Sequence, residues 1–143
     1  MSKIMDMYTK YIRGTPRGDL VVKSEAFVSN VRTSVRKTFN ANSSKVYITA
    51  RSLKHIYERL YLDLERPEIF SMVIQSMPKI MTYPDKICKN KPNKPGEYCF
   101  IKKIDGQVYL CSVEIVEGKF YVVTGFIPHK ESYYNKLEVV WSF

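Results

Sequence analysis

Four polar residues have types and positions that suit chemistry on a phosphate ester. His55 and Arg59 lie four positions apart in a stretch of helical periodicity, so their side chains can meet on one helix face. Lys102 and Thr124 lie in two predicted strands. Histidine exchanges protons near neutral pH, lysine and arginine neutralise phosphate charge, and threonine can donate a hydrogen bond to a phosphate oxygen. Together these residues could bind a phosphodiester and move the protons needed to break it.

The segment 98–126 predicts the two β-hairpins that must position this lysine and threonine. Asp105-Gly106 and Glu117-Gly118 are short turn signals between runs of strand-forming residues. An Asp-Gly pair strongly favours a two-residue hairpin turn, and we expect the same length for the second turn.

Two-residue turns fix a strand register and therefore the faces of the sheet. Lys102 is then opposite Tyr109, and Cys111 is opposite Thr124. Because side chains alternate between faces, Lys102 and Thr124 are predicted to share one face, close enough to touch one phosphate. A slip of one residue would exchange these assignments. The other face is mostly aliphatic and is expected to pack beneath helices, with Ile101, Lys103, Leu110, Val123 and Ile127.

Each of these residues also has an ordinary structural interpretation. Lys102 and Lys103 can be an edge-strand charge pair that deters aggregation. Thr124 can be a simple strand former, and His55 a helix-surface histidine with no function. These alternatives stay open on the residues alone.

The order of elements predicts an α+β fold, with helices packed on one side of a four-stranded antiparallel sheet. Residues 1–44 are expected to be an N-terminal extension with one helix over residues 24–39, and residues 45–143 the main domain. Thr49 is a predicted helix N-cap, and Pro67 suits the first turn of the following helix. The predicted strands are Tyr98–Ile104, Gln107–Val116, Lys119–Ile127 and Leu137–Ser142.

The composition of the chain limits the kinds of partner and cofactor that are expected. The net charge is +9, and residues 82–103 hold six lysines against two acids, including Lys91 and Lys94 in a proline-containing loop. Such a cationic segment suits a phosphate backbone, although solubility alone would explain it equally well. The three cysteines indicate reduced intracellular thiols, so a cytoplasmic protein is expected. Neither a metal-ligand spacing nor a membrane-spanning run occurs, and no cofactor is expected.

The chain resembles the phage-associated branch of the barnase, EndoU, colicin and RelE-like nuclease superfamily. The resemblance rests on a helix with "LKHI", a "YPDKI" stop, and the strands "YCFIKKI" and "FYVVTGF". It covers about Lys45 to Lys136. It implies helices followed by a four-stranded antiparallel sheet, and cleavage of RNA without a metal.

The family's site residues fall on particular positions of this chain. The resemblance places its helix histidine on His55, its strand lysine on Lys102 with Lys103 as the fallback, and its threonine on Thr124. Relatives often have a tyrosine two residues after the threonine, whereas this chain has Phe126. Substrate contacts are expected from the remaining candidates, which are Arg59, Tyr98, Tyr109, Phe126, Lys91, Lys94 and Lys103.

The implied activity is that of a metal-independent endoribonuclease. The 2′-OH of RNA would attack the adjacent phosphate and leave a 2′,3′-cyclic phosphate and a 5′-OH end. RNA is the expected partner, with tRNA one candidate, and for a toxin or phage-linked effector an immunity protein or antitoxin is a further candidate partner. The alternative is a non-catalytic nucleic-acid-binding or accessory phage protein with the same fold.

Overall fold

Seven strands form one mixed sheet in the computed structural model, which describes residues 2–18 and 22–143. The strands are β1 (Glu25–Asn30), β2 (Lys45–Thr49), β3 (Lys86–Lys89), β4 (Tyr98–Ile104), β5 (Gln107–Val116), β6 (Lys119–Phe126) and β7 (Val139–Ser142). Their order across the sheet is β1-β2-β6-β5-β4-β3-β7. β2 and β6 are parallel, and the other neighbours are antiparallel. The predicted α+β class is confirmed, but the prediction of a four-stranded antiparallel sheet is wrong.

The helices lie mostly in the first half of the chain, as predicted. They are α1 (Lys3–Met7), continued by a π-helical turn (Tyr8–Ile12), then α2 (Thr33–Thr38), α3 (Ala50–Tyr57), continued by a π-helical turn (Glu58–Asp63), and α4 (Pro67–Thr82). A short 3-10 turn (Glu131–Tyr133) precedes β7. The Thr49 hydroxyl accepts a hydrogen bond from the Ser52 amide at 3.1 Å, which confirms the predicted N-cap of α3. Pro67 begins α4, also as predicted.

The helix predicted over residues 24–39 is instead β1 followed by the short helix α2. The helix prediction rested on Phe27, Val31, Val35 and Phe39, which recur every four residues. A spacing of four is close to one helical turn, but it is also a multiple of the two-residue strand period. Ala26 and Val28 are buried in β1, and the strand pairs with β2. The sheet therefore contains strands from both sides of the domain boundary proposed at residue 45. That boundary stays a prediction.

Both predicted hairpin turns are present. Asp105 and Gly106 have φ of 49° and 81°, and Glu117 and Gly118 have φ of 52° and 77°. Two consecutive positive φ values are the mark of a type I′ turn, whose twist matches that of the flanking strands. The pairings next to both turns follow the predicted two-residue loops.

A β-bulge changes the register before β6 reaches its end. Lys102 is opposite Tyr109, as predicted, but Cys111 is opposite Gly125, and Thr124 is opposite Ser112. The register shifts between Ser112 and Val113, which inserts one extra residue into β6. Thr124 and Lys102 therefore lie on opposite faces of the sheet, and the prediction that they share a face is wrong.

Helix α4 covers the face that carries Cys111 and Gly125, not the aliphatic face that was expected to lie beneath helices. A Cβ on Gly125 would lie 3.1 Å from Val73 Cγ1 of α4, so the missing side chain lets the helix approach closely. The opposite face is covered in part by the segment before β7, through Tyr134 and Leu137. Within the described ranges, no helix has the length and apolar character needed to cross a bilayer.

Candidate functional site

A cavity of about 1140 Å³ opens where β2 ends and the chain turns into α3. The parallel pairing of β2 with β6 reaches Ile48 and Val122, after which β6 runs on alone at this side. The wall from α3 and its π-helical turn includes His55 and Arg59, and the wall from β6 includes Thr124. The structure therefore brings together three of the residues singled out in the sequence.

The position of His55 follows from the pattern of α3. Leu53, Ile56 and Tyr57 are buried in the core, which leaves His55 exposed on the face that lines the cavity. Arg59 follows in the π-helical turn, and its guanidinium carbon lies 5.2 Å from the centroid of a phenylalanine ring of β6. This cation–π contact holds the guanidinium at the edge of the cavity.

Of the residues that the structure describes, four carboxylates that the sequence did not single out line the cavity: Glu25, Glu58, Asp63 and Glu114. Asp63 pairs with Arg17, and Glu58 accepts a hydrogen bond from the Gly18 amide at 3.3 Å. Across residues 2–18 and 22–143, neither Glu114 nor either of the two arginines on the helical wall, Arg51 and Arg59, forms an ion pair. The sequence alone does not identify these residues as parts of one site, because most of them lie far apart along the chain and come together only when it folds.

Tyr121 lies in the same cavity, opposite Glu114 on β5. Its hydroxyl donates a hydrogen bond to Glu25 at 3.1 Å. Desolvation by burial, and then the Glu25 carboxylate, raise the pKa of the Tyr121 hydroxyl above its usual value. This hydroxyl therefore keeps its proton at neutral pH and serves as a hydrogen-bond donor.

Lys102 lies away from this cavity. Its ammonium nitrogen is 3.4 Å from Asp85 Oδ1, and its side chain is only 16% exposed. The neighbouring Lys103 amide donates to Asp85 Oδ2 at 2.7 Å, so one aspartate ties down both positions. The predicted convergence of Lys102 with His55 and Thr124 is wrong, because the bulge in β6 turns Thr124 to the other face.

The two tyrosines expected to contact substrate lie on the helix-covered face. Tyr109 is buried, with 4% of its surface exposed. The Tyr98 ring lies 4.6 Å from the Phe39 ring, centroid to centroid. Neither lines the cavity of His55, so the structure does not place them to stack a base or donate a proton there.

A second cavity, of about 520 Å³, adjoins the first. Arg59 lines both, and Phe126, Lys91 and Tyr133 line the second. His129, which the sequence suggested to be a plain surface residue, lines it too. A third and smaller cavity on the basic loop is shared by Lys91 with Lys89 and Lys94. The predicted substrate contacts at Phe126, Lys91 and Lys94 thus stay predictions, and the structure puts them beside the site of His55.

No group of three or more His, Cys, Asp and Glu side chains that could hold a metal ion is found in the described part of the chain. The model of the family described as "phage-Barnase-EndoU-ColicinE5/D-RelE like nuclease3" matches residues 26–133. The match begins in β1 and ends in the 3-10 turn, so it includes the strands and helices that build both cavities. Comparison with curated proteins gives no match, and comparison with solved structures gives none either.

Proposed function

Because the chain belongs to the phage-Barnase-EndoU-ColicinE5/D-RelE like nuclease family, we propose that it is an endoribonuclease that needs no metal. The single observation that carries this proposal is the meeting of His55, Arg59 and Thr124 in one open cavity between α3 and β6. A proton-transfer group, a cation and a hydroxyl donor are among the groups that cleavage of RNA by its own 2′-OH requires.

Different side chains of this cavity take different parts in the cleavage reaction. The 2′-oxygen attacks the phosphorus, its proton leaves to a base, and the leaving 5′-oxygen takes a proton from an acid. Arg59 and Arg51 neutralise the charge that builds on the phosphorane, in place of the lysine expected on β4. Thr124 donates a hydrogen bond to a non-bridging oxygen. The products are a 2′,3′-cyclic phosphate and a 5′-OH end.

The reaction needs a second proton-transfer group besides His55. Glu114 is the natural choice, because its carboxylate lines the cavity and pairs with no cation among the described residues. We assign the base role to Glu114 and the acid role to His55, because a carboxylate can accept the proton of the 2′-OH and an imidazole ring can deliver a proton to the leaving oxygen. Phe126, which has no hydroxyl, takes no part in proton transfer.

A second candidate function is RNA binding without cleavage, or an accessory role in a phage. The replacement of the family's tyrosine by Phe126 favours it, because a proton-transfer group is lost. The finer proposals rest on the family alone: action on tRNA, a toxin or effector role in the cytoplasm, and control by an immunity protein or antitoxin.

The test is cleavage of total RNA in EDTA by the parent protein and by His55→Ala. If His55 is the acid, the rate should fall on the order of hundred- to ten-thousand-fold. The melting temperature should stay near that of the parent because His55 is exposed. Gln75→Ala is the matched control, since Gln75 is an exposed helix residue outside the described cavities. A His55→Ala protein that cuts RNA as fast as the parent would end this proposal.

A further inference from the structure

The second cavity, which Arg59 also lines, is positively charged. Among the residues that the structure describes, four basic side chains line it, those of Arg59, Arg66, Lys91 and Lys130, and no aspartate or glutamate does so. Arg66 pairs with Glu68 at 2.7 Å, and the other three pair with no acid among the residues described. The first cavity, by contrast, holds four carboxylates. Anionic ligands are therefore favoured in the second cavity.

Two aromatic rings stand between two of these cations. The Phe126 and Tyr133 rings meet edge to face, with centroids 5.3 Å apart. The Arg59 guanidinium lies 5.2 Å from the Phe126 centroid, and the Lys91 ammonium lies 5.2 Å from the Tyr133 centroid. Phe126 is buried, whereas Tyr133 is half-buried and open to a ligand. A row of cation, ring, ring and cation is complementary to one nucleotide unit. The flat base can lie against a ring, and the phosphates on either side of the base can meet the two cations.

The row also adjoins another cavity at each of its two ends. Arg59 borders the cavity of His55, and Lys91 borders the loop cavity that contains Lys89 and Lys94. A polynucleotide strand can therefore run from the cleavage site across the second cavity to the loop lysines.

We propose that the second cavity binds an unpaired base of single-stranded RNA, with Tyr133 against the base and Arg59 and Lys91 on the flanking phosphates. This inference rests on the proposed function for the place of the scissile phosphate. A base inside a duplex is stacked and paired and cannot enter such a cavity, whereas a loop or single strand can present it. The substrate class is therefore unpaired RNA.

The test measures binding separately from cleavage. The probe is a short 2′-O-methyl RNA oligonucleotide, which lacks the free 2′-OH and is not cut, used as a single strand and as a duplex in fluorescence anisotropy. Tyr133→Ala should weaken single-strand binding roughly 5- to 150-fold. In this variant, the salt dependence of single-strand binding and the affinity for the duplex should both equal those of the parent. Tyr133→Phe should bind as the parent does. Tyr83→Ala is the control, because Tyr83 is exposed outside these cavities.

Lys91→Ala gives an independent arm, because an exposed lysine can be removed without unfolding the protein. It should reduce the slope of log affinity against log salt by about 0.7, whereas Lys79→Ala should leave it unchanged. Equal losses for single strand and duplex, or no loss in Tyr133→Ala, would overturn the proposal. Competition by polyglutamate as strong as that of RNA, indifferent to Tyr133, would overturn it in favour of an acidic protein partner. A parent protein that shows the Tyr133 effect but cuts no RNA would refute the nuclease proposal and keep the base site.

Discussion

Mild alkali should weaken this protein through two thiols buried in its sheet. Cys99 lies in β4 and Cys111 in β5, and neither has measurable exposed surface. Burial raises the pKa of each thiol to about 12, with a smaller contribution from a neighbouring cysteine. In the unfolded chain a thiol has a pKa of about 8.5. The unfolded state therefore loses protons first as the pH rises, and stability falls above that lower value.

The magnitude follows from the two pKa values. Between about pH 8 and about pH 9.5, each thiol should lower the free energy of unfolding by about 1 kcal/mol, or by roughly 2–3 kcal/mol for both. Domains of this size are stable by roughly 5–15 kcal/mol, so the loss is large enough to measure.

The assay is urea unfolding followed by circular dichroism across this pH range, in the presence of a reductant. The parent is compared with the double variant Cys99→Ala/Cys111→Ala. The double variant is less stable at every pH because it loses buried volume, so only the change with pH is compared. Cys88 is present in both proteins, and its contribution cancels. Parallel curves for the two proteins would refute the assignment of these thiols as protonated core residues.

Two further predictions concern charged groups near the site. Lys54 is only 3% exposed, and its ammonium donates hydrogen bonds to Thr15 and to the Pro16 carbonyl, so Lys54→Met should cost about 2–3 kcal/mol in urea unfolding; a cost near zero would contradict it. Arg59→Ala should lower the rate of RNA cleavage about hundredfold or more. Lys102→Ala should leave the rate within a few-fold of that of the parent, because Arg59 lines the cavity and Lys102 does not. The opposite order of the two rates would restore the lysine of β4 to the site.

Local signals predicted much of the fold. The two hairpins followed from turn chemistry at Asp105-Gly106 and Glu117-Gly118, which short-range backbone sterics dictate. The start of α3 followed from the hydroxyl of Thr49, which satisfies a helix amide three residues on. These features depend on neighbours in sequence, so the sequence reveals them directly.

Features set by distant partners were missed. The strands β1 and β3 were not predicted, and both depend on pairing across long stretches of chain, as when β3 joins β4 to β7. The bulge beside Val113 depends on how β6 fits against β5, and it moved Thr124 to the other face. His55 and Thr124 still met because α3 leaves the sheet beside β6. Glu114, Arg51 and Tyr133 carry no local signal, and only the topology brings them to the cavities.

The most direct test of the central claim uses a DNA oligonucleotide with a single ribonucleotide, incubated with the parent protein in EDTA. Such a strand offers one 2′-OH and therefore one internal nucleophile. Mechanism and site together predict one cut, directly 3′ of the ribonucleotide, with a 2′,3′-cyclic phosphate on one fragment and a 5′-OH on the other. His55→Ala should make this cut on the order of hundred- to ten-thousand-fold more slowly. Cuts at deoxynucleotide positions, or cleavage that appears only when magnesium is supplied, would contradict attack by the 2′-OH.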